Sequence, residues 1–483
     1  MTNAAAVLKA SGYIGFCLLF WSVSCSQTPK SKPGKVTVDL LQKDFSILRK
    51  TLEEAHPGLY WYSDKLTMDR YFDSVRVHID HEMSAFDFFT FLLPVIAKVR
   101  CSHTNIHLPP NAIAKGSVPD GLLPFNFFCR NRRVFIREDF LNGGHTGEEV
   151  ISINSIPVGR IIDTLLKSLP ADGFNETYKY YLLSPGAFRE GYAAYFKNSG
   201  VVNIETQNAV SNKLRSFRTI LIKPNELPGP RKVFPPWLEL KYRPEFNAAI
   251  LTINSFEIKT IRFRDSLAGI FKTIQQKNIE HLILDIRENG GGNNENVAEL
   301  FSYLTSDSFR HLNRAEMNGS NFTYDRYFTN RQLPAHPEGL PEANGKYAVN
   351  NRYSGTSFRQ PANAARFKGQ AILLISGHTS SAASEFAALV RFHKSAVIVG
   401  EETGGGYYGG TGGVYINLVL PGSGIEARIP IVRIFNDVGQ DTTRQPAGRG
   451  TLPDYTVIPT IENILSGKDI QMEAALNQIR KVP

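Results

Sequence analysis

Two stretches of this chain combine reactive or anion-binding groups with the backbone freedom such chemistry needs. The first runs from Ile375 to Phe386 through Ser376, Gly377, His378, Thr379, Ser380, Ser381, Ala382, Ala383, Ser384 and Glu385, and it reads as a strand, a small-residue turn and a helix start. The first N–H groups of a helix have no intrahelical partner, so a serine there has a hydroxyl to attack a carbonyl and amides to hold the oxyanion that forms. Ser and Thr also favour this position as plain helix caps, and Ser381 with Glu385 one turn on lies near a capping pattern. Capping does not account for the second stretch. There Leu284, Asp285, Ile286, Arg287, Glu288 and Asn289 lead into Gly290, Gly291 and Gly292, which places three glycines straight after a buried strand. A backbone without side chains can approach a ligand, and its amides can point at an anion. This glycine turn fits neither the G-x-G-x-x-G nor the G-x-x-x-x-G-K spacing, which argues against a nucleotide site there.

With Leu282 to Gly292, Ser381 to Glu385 and the run from Gly400 through Glu401, Glu402 and Thr403 to Gly404, the chain resembles the tail-specific (C-terminal processing) serine proteases over about residues 245–460. The resemblance implies a ClpP/crotonase-like α/β core whose nucleophilic serine opens a helix as S-x-S-E or S-x-x-E, ahead of a strand ending in G-E-x-T. Counting back from Glu385 by that pattern reaches Ala382, whereas Ser381 keeps the family-like interval to Glu401, so Ser381 is the expected nucleophile and Ser384 the alternative. The bacterial processing proteases place a lysine after G-E-x-T, and this chain has Gly404, Gly405, Gly406, Tyr407 and Tyr408 there instead. The branch similar to the tricorn protease core uses an earlier histidine behind a small residue. Arg100, Cys101, Ser102, His103 and Thr104 look like that element, which makes His103 the expected base. An imidazole with an ordinary pKa near 6.5 accepts a serine proton at neutral pH. The group orienting His103 is open among Ser102, Glu402, Asp437 and Asp441, because the acid sometimes found before the closing G-x-x-P-D signature is Ala447 here. The amides of Ala382 and Gly291 are expected to hold the oxyanion, with Gly290, Gly292, Tyr407 and Tyr408 contacting substrate. His103 and His107 form H-x-x-x-H, but Pro109-Pro110 opposes a helix and no Glu or Cys completes the set; no metal and no cofactor are expected.

The elements that must position these groups follow from periodicity. Between Val38 and Val99 apolar residues recur at helical spacing (Leu41, Phe45, Leu48, Leu52; then Phe86, Phe89, Leu92, Leu93, Ile96), which predicts a helical region over 26–115. Short β-like runs such as Val134 to Ile136 and Glu149 to Ile153 predict a β-rich region over 116–223, and residues 147–158 look PDZ-like. A Pro-rich linker over 224–240 follows. From 241 to 483, buried runs at Ala249 to Ile253, Leu282 to Ile286, Ala371 to Ile375 and Ala396 to Val399 alternate with helical patterns. That alternation predicts a largely parallel sheet covered by helices. Residues 306–369 show no period and read as an irregular insertion near the site.

The 483 residues, 42% of them apolar, suffice for several domains. A net charge of +9 is scattered without a basic, aromatic-interleaved cluster, so nucleic acid is not an expected partner. Lys9, an apolar run from Tyr13 to Val23 and small residues before Cys25 predict a signal peptide of residues 1–25 with lipid attachment at Cys25. Export to a bacterial cell envelope follows, with the membrane met only through that anchor. Cys17 lies in the same run, leaving Cys101 and Cys129 as either one bridge or two buried thiols. Peptide or protein substrates are expected for a serine endopeptidase. A catalytically silent peptide-binding lipoprotein on the same fold is the alternative.

Overall fold

The computed structural model describes residues 34–109, 121–196, 200–208, 211–228, 235–330, 346–348 and 358–479, and the expected signal peptide with Cys25 lies outside them. The helical period of the N-terminal region produces α1 (Val38–Ala55), α2 (Lys65–Val77) and α3 (Ala85–Lys98). Asp64 and Ser84 cap the last two by accepting hydrogen bonds from the N–H groups of Thr67 and Asp87. Leu41, Phe45, Leu48, Leu52, Leu92 and Ile96 are all buried, as their spacing requires. A short strand, β1 (Asn105–His107), follows.

The next region is antiparallel. It contains β2 (Phe125–Arg130), β3 (Arg133–Asp139), β4 (Glu149–Ile153), β5 (Ile156–Pro157), α4 (Val158–Leu166), α5 (Thr177–Leu182), α6 (Phe188–Phe196), β6 (Val201–Gln207) and β7 (Leu214–Ile220). Its sheet runs in the order β2-β3-β4-β6-β7, with β5 beside β4, and it closes over a core of its own from Leu123 to Ile204.

The remaining described chain holds β8 (Leu238–Arg243), β9 (Ala248–Ile253), α7 (Thr260–Gln276), β10 (His281–Asp285), α8 (Asn294–Ser302), β11 (Leu312–Met317), β12 (Tyr347–Ala348), β13 (Gln370–Ile375) and α9 (Ala382–His393). After these come β14 (Val397–Gly400), β15 (Gly409–Thr411), β16 (Tyr415–Val419), β17 (Glu426–Pro430), β18 (Arg433–Asn436), β19 (Tyr455–Thr456), α10 (Ile461–Ser466) and α11 (Ile470–Ile479). A six-stranded sheet in the order β19-β14-β13-β10-β9-β8 is parallel except for its edge strand β8. Successive side chains of its strands point to opposite faces. Leu251, Leu284, Leu373 and Ile375 therefore meet Phe263, Phe271, Phe301 and Phe386 of α7, α8 and α9 on one side. Ile250, Ile283, Ile372 and Leu374 meet Ala475 and Ile479 of α11 on the other. The chain is a mixed α/β protein with several sheets.

Two details differ from the sequence reading, and a third decides between alternatives it left open. The expected linker contains the start of β8, which pairs along its length with β9 from Leu238 opposite Ile253 to Arg243 opposite Ala248. Within the segment read as irregular, β11 pairs with β18 and β12. Cys101 and Cys129 are both free and buried, so no bridge joins them. Among the described residues no helix is long and apolar enough to cross a membrane.

One core crosses the regional boundaries. Leu41, Phe45 and Leu48 of α1 pack with Ile416, Leu418, Ala427 and Ile429 of the β16–β17 hairpin, and β1 pairs with β17 in a three-stranded sheet. The hairpin turn is clamped by Asp44, whose buried carboxylate accepts hydrogen bonds from Gly422 N–H (2.8 Å), Ser423 N–H (2.7 Å) and Ser423 Oγ–H (2.7 Å). Losing an acceptor of three donors in a buried turn costs more than one net hydrogen bond, because each donor left unpaired carries its own desolvation cost. Asp44→Ala should lower unfolding stability by at least about 2 kcal/mol in urea titrations. Asp39→Ala, an acidic change in the first turn of the same helix, should stay within about 0.5 kcal/mol of the parent.

Candidate functional site

The turn carrying Ser381 is pinned to the end of the neighbouring strand. Ser376 Oγ donates to Arg287 O at 2.6 Å, Thr379 Oγ1 donates to Ile286 O at 3.0 Å, and Gly404 N–H donates to Thr379 O at 2.8 Å. The chain then enters α9 through Ser381, whose backbone lies at φ 52° and ψ −132°. Few residues other than glycine adopt such a conformation, and it persists only where the surroundings impose it. Ser381 makes no side-chain capping bond, so its hydroxyl is not spent on the helix end. Ser384 differs: it is buried and its Oγ donates to Ser381 O at 2.7 Å. Ala383 N–H donates to Ser380 O, and the Ser384 and Glu385 N–H groups both donate to Ser381 O. The Ala382 N–H has no partner among the described residues.

The glycine turn after β10 packs directly on this one. Gly291 sits at φ +105°, and a Cβ there would lie 2.7 Å from Ser381 Cβ and 3.0 Å from Ala382 N. Only glycine lets the two turns touch. The Gly291 N–H, expected to face an oxyanion, instead donates to Asn289 Oδ1 at 2.9 Å, and Gly291 O accepts from Phe256 N–H. The neighbouring Gly292 N–H is without a partner among the described residues, and Gly292 lines the cleft described below.

His103 arrives from the other end of the chain. It stands two residues before β1, whose pairing sets Asn105 opposite Arg428, Ile106 opposite Ala427 and His107 opposite Glu426. Ser102 Oγ lies 3.3 Å from His103 Nδ1, and Ser102 N–H donates to Asp172 Oδ1 at 2.7 Å. An imidazole nitrogen of His103, a carboxylate oxygen of Asp172 and Cys101 Sγ all lie within 4.8 Å of one another. Asp172 belongs to the loop between α4 and α5, which is tied down by Gly173 N–H to Arg100 O (3.0 Å), Phe174 N–H to Gly448 O (2.7 Å) and Asn175 Nδ2–H to Thr403 O (2.6 Å). Burial pulls the His103 pKa below the ordinary imidazole value of 6.5; the Asp172 carboxylate opposes that shift, Arg428 adds to it, and Glu385 opposes it.

A cleft of about 290 Å³ brings these groups together: His103, Asp172, Gly292, Ser381, Ser384 and Glu385 line it, with Leu312, Ala315, Val414, Val432 and Ile434 as an apolar wall. The other expected site residues are elsewhere or engaged. Gly290 O accepts from Ser380 Oγ at 3.3 Å. Tyr407 is buried with its carbonyl bonded to Asn436 Nδ2, and the Tyr408 hydroxyl donates to Gln445 O; neither lines the cleft. Glu402 accepts from Arg449, Gly450 N–H and Thr177 Oγ1. Asp437 pairs with Arg310 and Asn313, and Asp441 with Thr443 and Arg444. Of the candidates for orienting His103, Ser102 alone stands beside it, and Asp172 joins it. Nothing in the Ala171-Asp172-Gly173 sequence marks that carboxylate, because what matters is the loop that carries it back to Arg100.

Residues 247–457 match the family model described as peptidase family S41. No curated protein matches the chain. Among solved structures, mature CPAF complexed with lactacystin is similar with a TM-score of 0.61 at 14% identity, covering 92% of this chain and 98% of that one. A second structure of mature CPAF gives 0.59 at 14% identity, covering 92% and 97%. A putative peptidase from Parabacteroides merdae gives 0.47 at 15%, covering 91% and 96%. At such identities the two CPAF structures speak for the fold, and the match over 247–457 speaks for the family. Residues 247–457 thus match peptidase family S41, which is consistent with the tail-specific proteases that the two turns resemble.

Proposed function

We propose that this peptidase is a serine endopeptidase in which Ser381 is the nucleophile, His103 the general base and Asp172 the acid that orients the imidazole. One observation carries the reading: Ser381 holds a strained positive-φ backbone at a helix start, with its side chain free of any cap, in the cleft that His103 and Asp172 also line. His103 takes the proton of Ser381 Oγ as it attacks a substrate carbonyl, then returns it to the leaving amine; water repeats the sequence on the acyl-enzyme. The Ala382 and Gly292 amides hold the oxyanion, because among the described residues neither has a partner, Ala382 follows Ser381 and Gly292 lines the same cleft, whereas the Gly291 amide is satisfied within its own turn. Ser384 is supported less well than Ser381, since its hydroxyl already donates to the helix backbone.

The parallel sheet with helices on both faces supports a ClpP/crotonase-like core, and the separate antiparallel sheet supports a PDZ-like role for the β-rich region. The domain boundaries at 26–115, 116–223 and 224–240 carry over, except that the peptidase core is best begun at Leu238. Export with a lipid on Cys25 remains part of the proposal, resting on the apolar run before it.

A fluorophosphonate probe should label the purified chain once, and the labelling should vanish in Ser381→Ala and in His103→Ala while surviving in Ser384→Ala. Folded protein that never labels would instead support the peptide-binding alternative. Peptide hydrolysis should fall about 10⁴-fold or more in either null variant.

The pH profile gives a second test. The base must be neutral to act, so the acidic limb of kcat/KM follows the His103 pKa in the free enzyme and should lie below 6.5. Asp172 holds that pKa up, so Asp172→Asn should move the limb to lower pH while kcat drops about 10³–10⁴-fold. An unmoved limb with an unchanged kcat would remove Asp172 from the mechanism.

A further inference from the structure

Three different metal-binding atom types meet where His103 and Asp172 line the cleft and Cys101 lies buried beside them. Cys101 Sγ, a nitrogen of His103 and a carboxylate oxygen of Asp172 lie within 4.8 Å of one another. Ligand atoms around a tetrahedral zinc ion stand roughly 3.3–3.8 Å apart, so small side-chain movements would close the set. Thiolate, imidazole and carboxylate together suit zinc, whereas magnesium and calcium take oxygen ligands.

Each candidate ligand already has a group that orients it. Ser102 N–H holds Asp172 Oδ1 at 2.7 Å, Thr411 Oγ1 lies 2.8 Å from Cys101 Sγ, and Ser102 Oγ lies 3.3 Å from His103 Nδ1. Such outer partners are a usual accompaniment of metal sites. Access is through the cleft, since His103, Asp172 and Thr411 all line it, and an ion there would keep a coordination position open to water. The spacing that brought His103 under suspicion as a ligand in the sequence was H-x-x-x-H, but His107 takes no part in this cluster.

We propose that Cys101, His103 and Asp172 bind one zinc ion, and that bound zinc switches the peptidase off by occupying the imidazole and carboxylate that proton transfer needs. On binding, the Cys101 S–H bond breaks, its proton goes to solvent and a sulfur–zinc bond forms; no electrons are transferred. The inhibitory half of this statement rests on the proposed role of His103. The binding half does not.

The two halves are tested separately. Cobalt(II) added to the full chain carrying Ser381→Ala should give a near-ultraviolet thiolate-to-cobalt absorption at one equivalent, displaced by zinc. Adding Cys101→Ala should abolish the band, and adding Cys129→Ala, which removes the other buried thiol among the described residues, should leave it. In the unmutated chain, zinc should slow fluorophosphonate labelling and EDTA should restore it. Each rate is normalised to the same protein without metal, and Cys101→Ala should raise the half-inhibiting zinc concentration well over tenfold. That margin is expected because groups that only hydrogen-bond to a ligand are worth about 10–100-fold in metal affinity. Absence of the band in folded protein, or a band that survives Cys101→Ala, overturns the site. A band that behaves as expected in a chain that never labels supports the site and refutes the serine mechanism. Labelling indifferent to zinc with the band present overturns the inhibition.

Discussion

The pairing of β1 with β17 is the constraint on which the cleft depends. Three rungs, from Asn105 opposite Arg428 to His107 opposite Glu426, fix the segment that carries His103 against a hairpin belonging to the peptidase domain. Three rungs alone would be weak, since isolated two-stranded pairs are marginal in water. They hold because the same hairpin shares a core with α1 and α3 and because Asp44 satisfies its turn. Residues 34–109 therefore serve the cleft through packing: they make the position of His103 a property of a hydrophobic core.

The opposite wall is set by backbone contact. Gly291 and Ser381 approach so closely that one extra carbon would collide, and the Ser381 backbone occupies a conformation that most residues avoid. Hydrogen bonds from Ser376 and Thr379 to the end of β10 supply the surrounding restraint. Strain at Ser381 is thus held by a buried parallel sheet, which resists small displacements because its interior is close-packed. The apolar wall of the cleft comes from β11, β18 and the chain around β16, so substrate-facing surface and core are made by the same short strands.

Much of this was legible in the chain itself, wherever a period was long. The runs at Ala249, Leu282 and Ala371 became buried parallel strands, and Leu41 to Leu52 became a buried helix face, because burial on known faces leaves a clear pattern. The strands between 409 and 436 were not legible, since they are short, glycine-punctuated and interleaved with polar residues. They read as loop until their partners are known. Asp172 was hidden for a related reason: a loop from another region brings it to the Ser102 amide and near His103. The role first given to the Gly291 amide shows a further limit, because sequence supplies the glycines of a turn without saying which N–H groups the turn itself consumes.

The thiol of Cys101 touches the hydroxyl of Thr411 across 310 residues of chain. Such contacts close late, since the entropy of joining distant segments must be met before the contact rewards it. During synthesis the helical region and the β-rich region can each collapse on their own apolar faces, but β1 has no strand to pair with until β17 has been made. The cleft is therefore among the last features the chain can assemble, and a polypeptide interrupted before residue 430 would hold the segment of His103 with nothing to set it against.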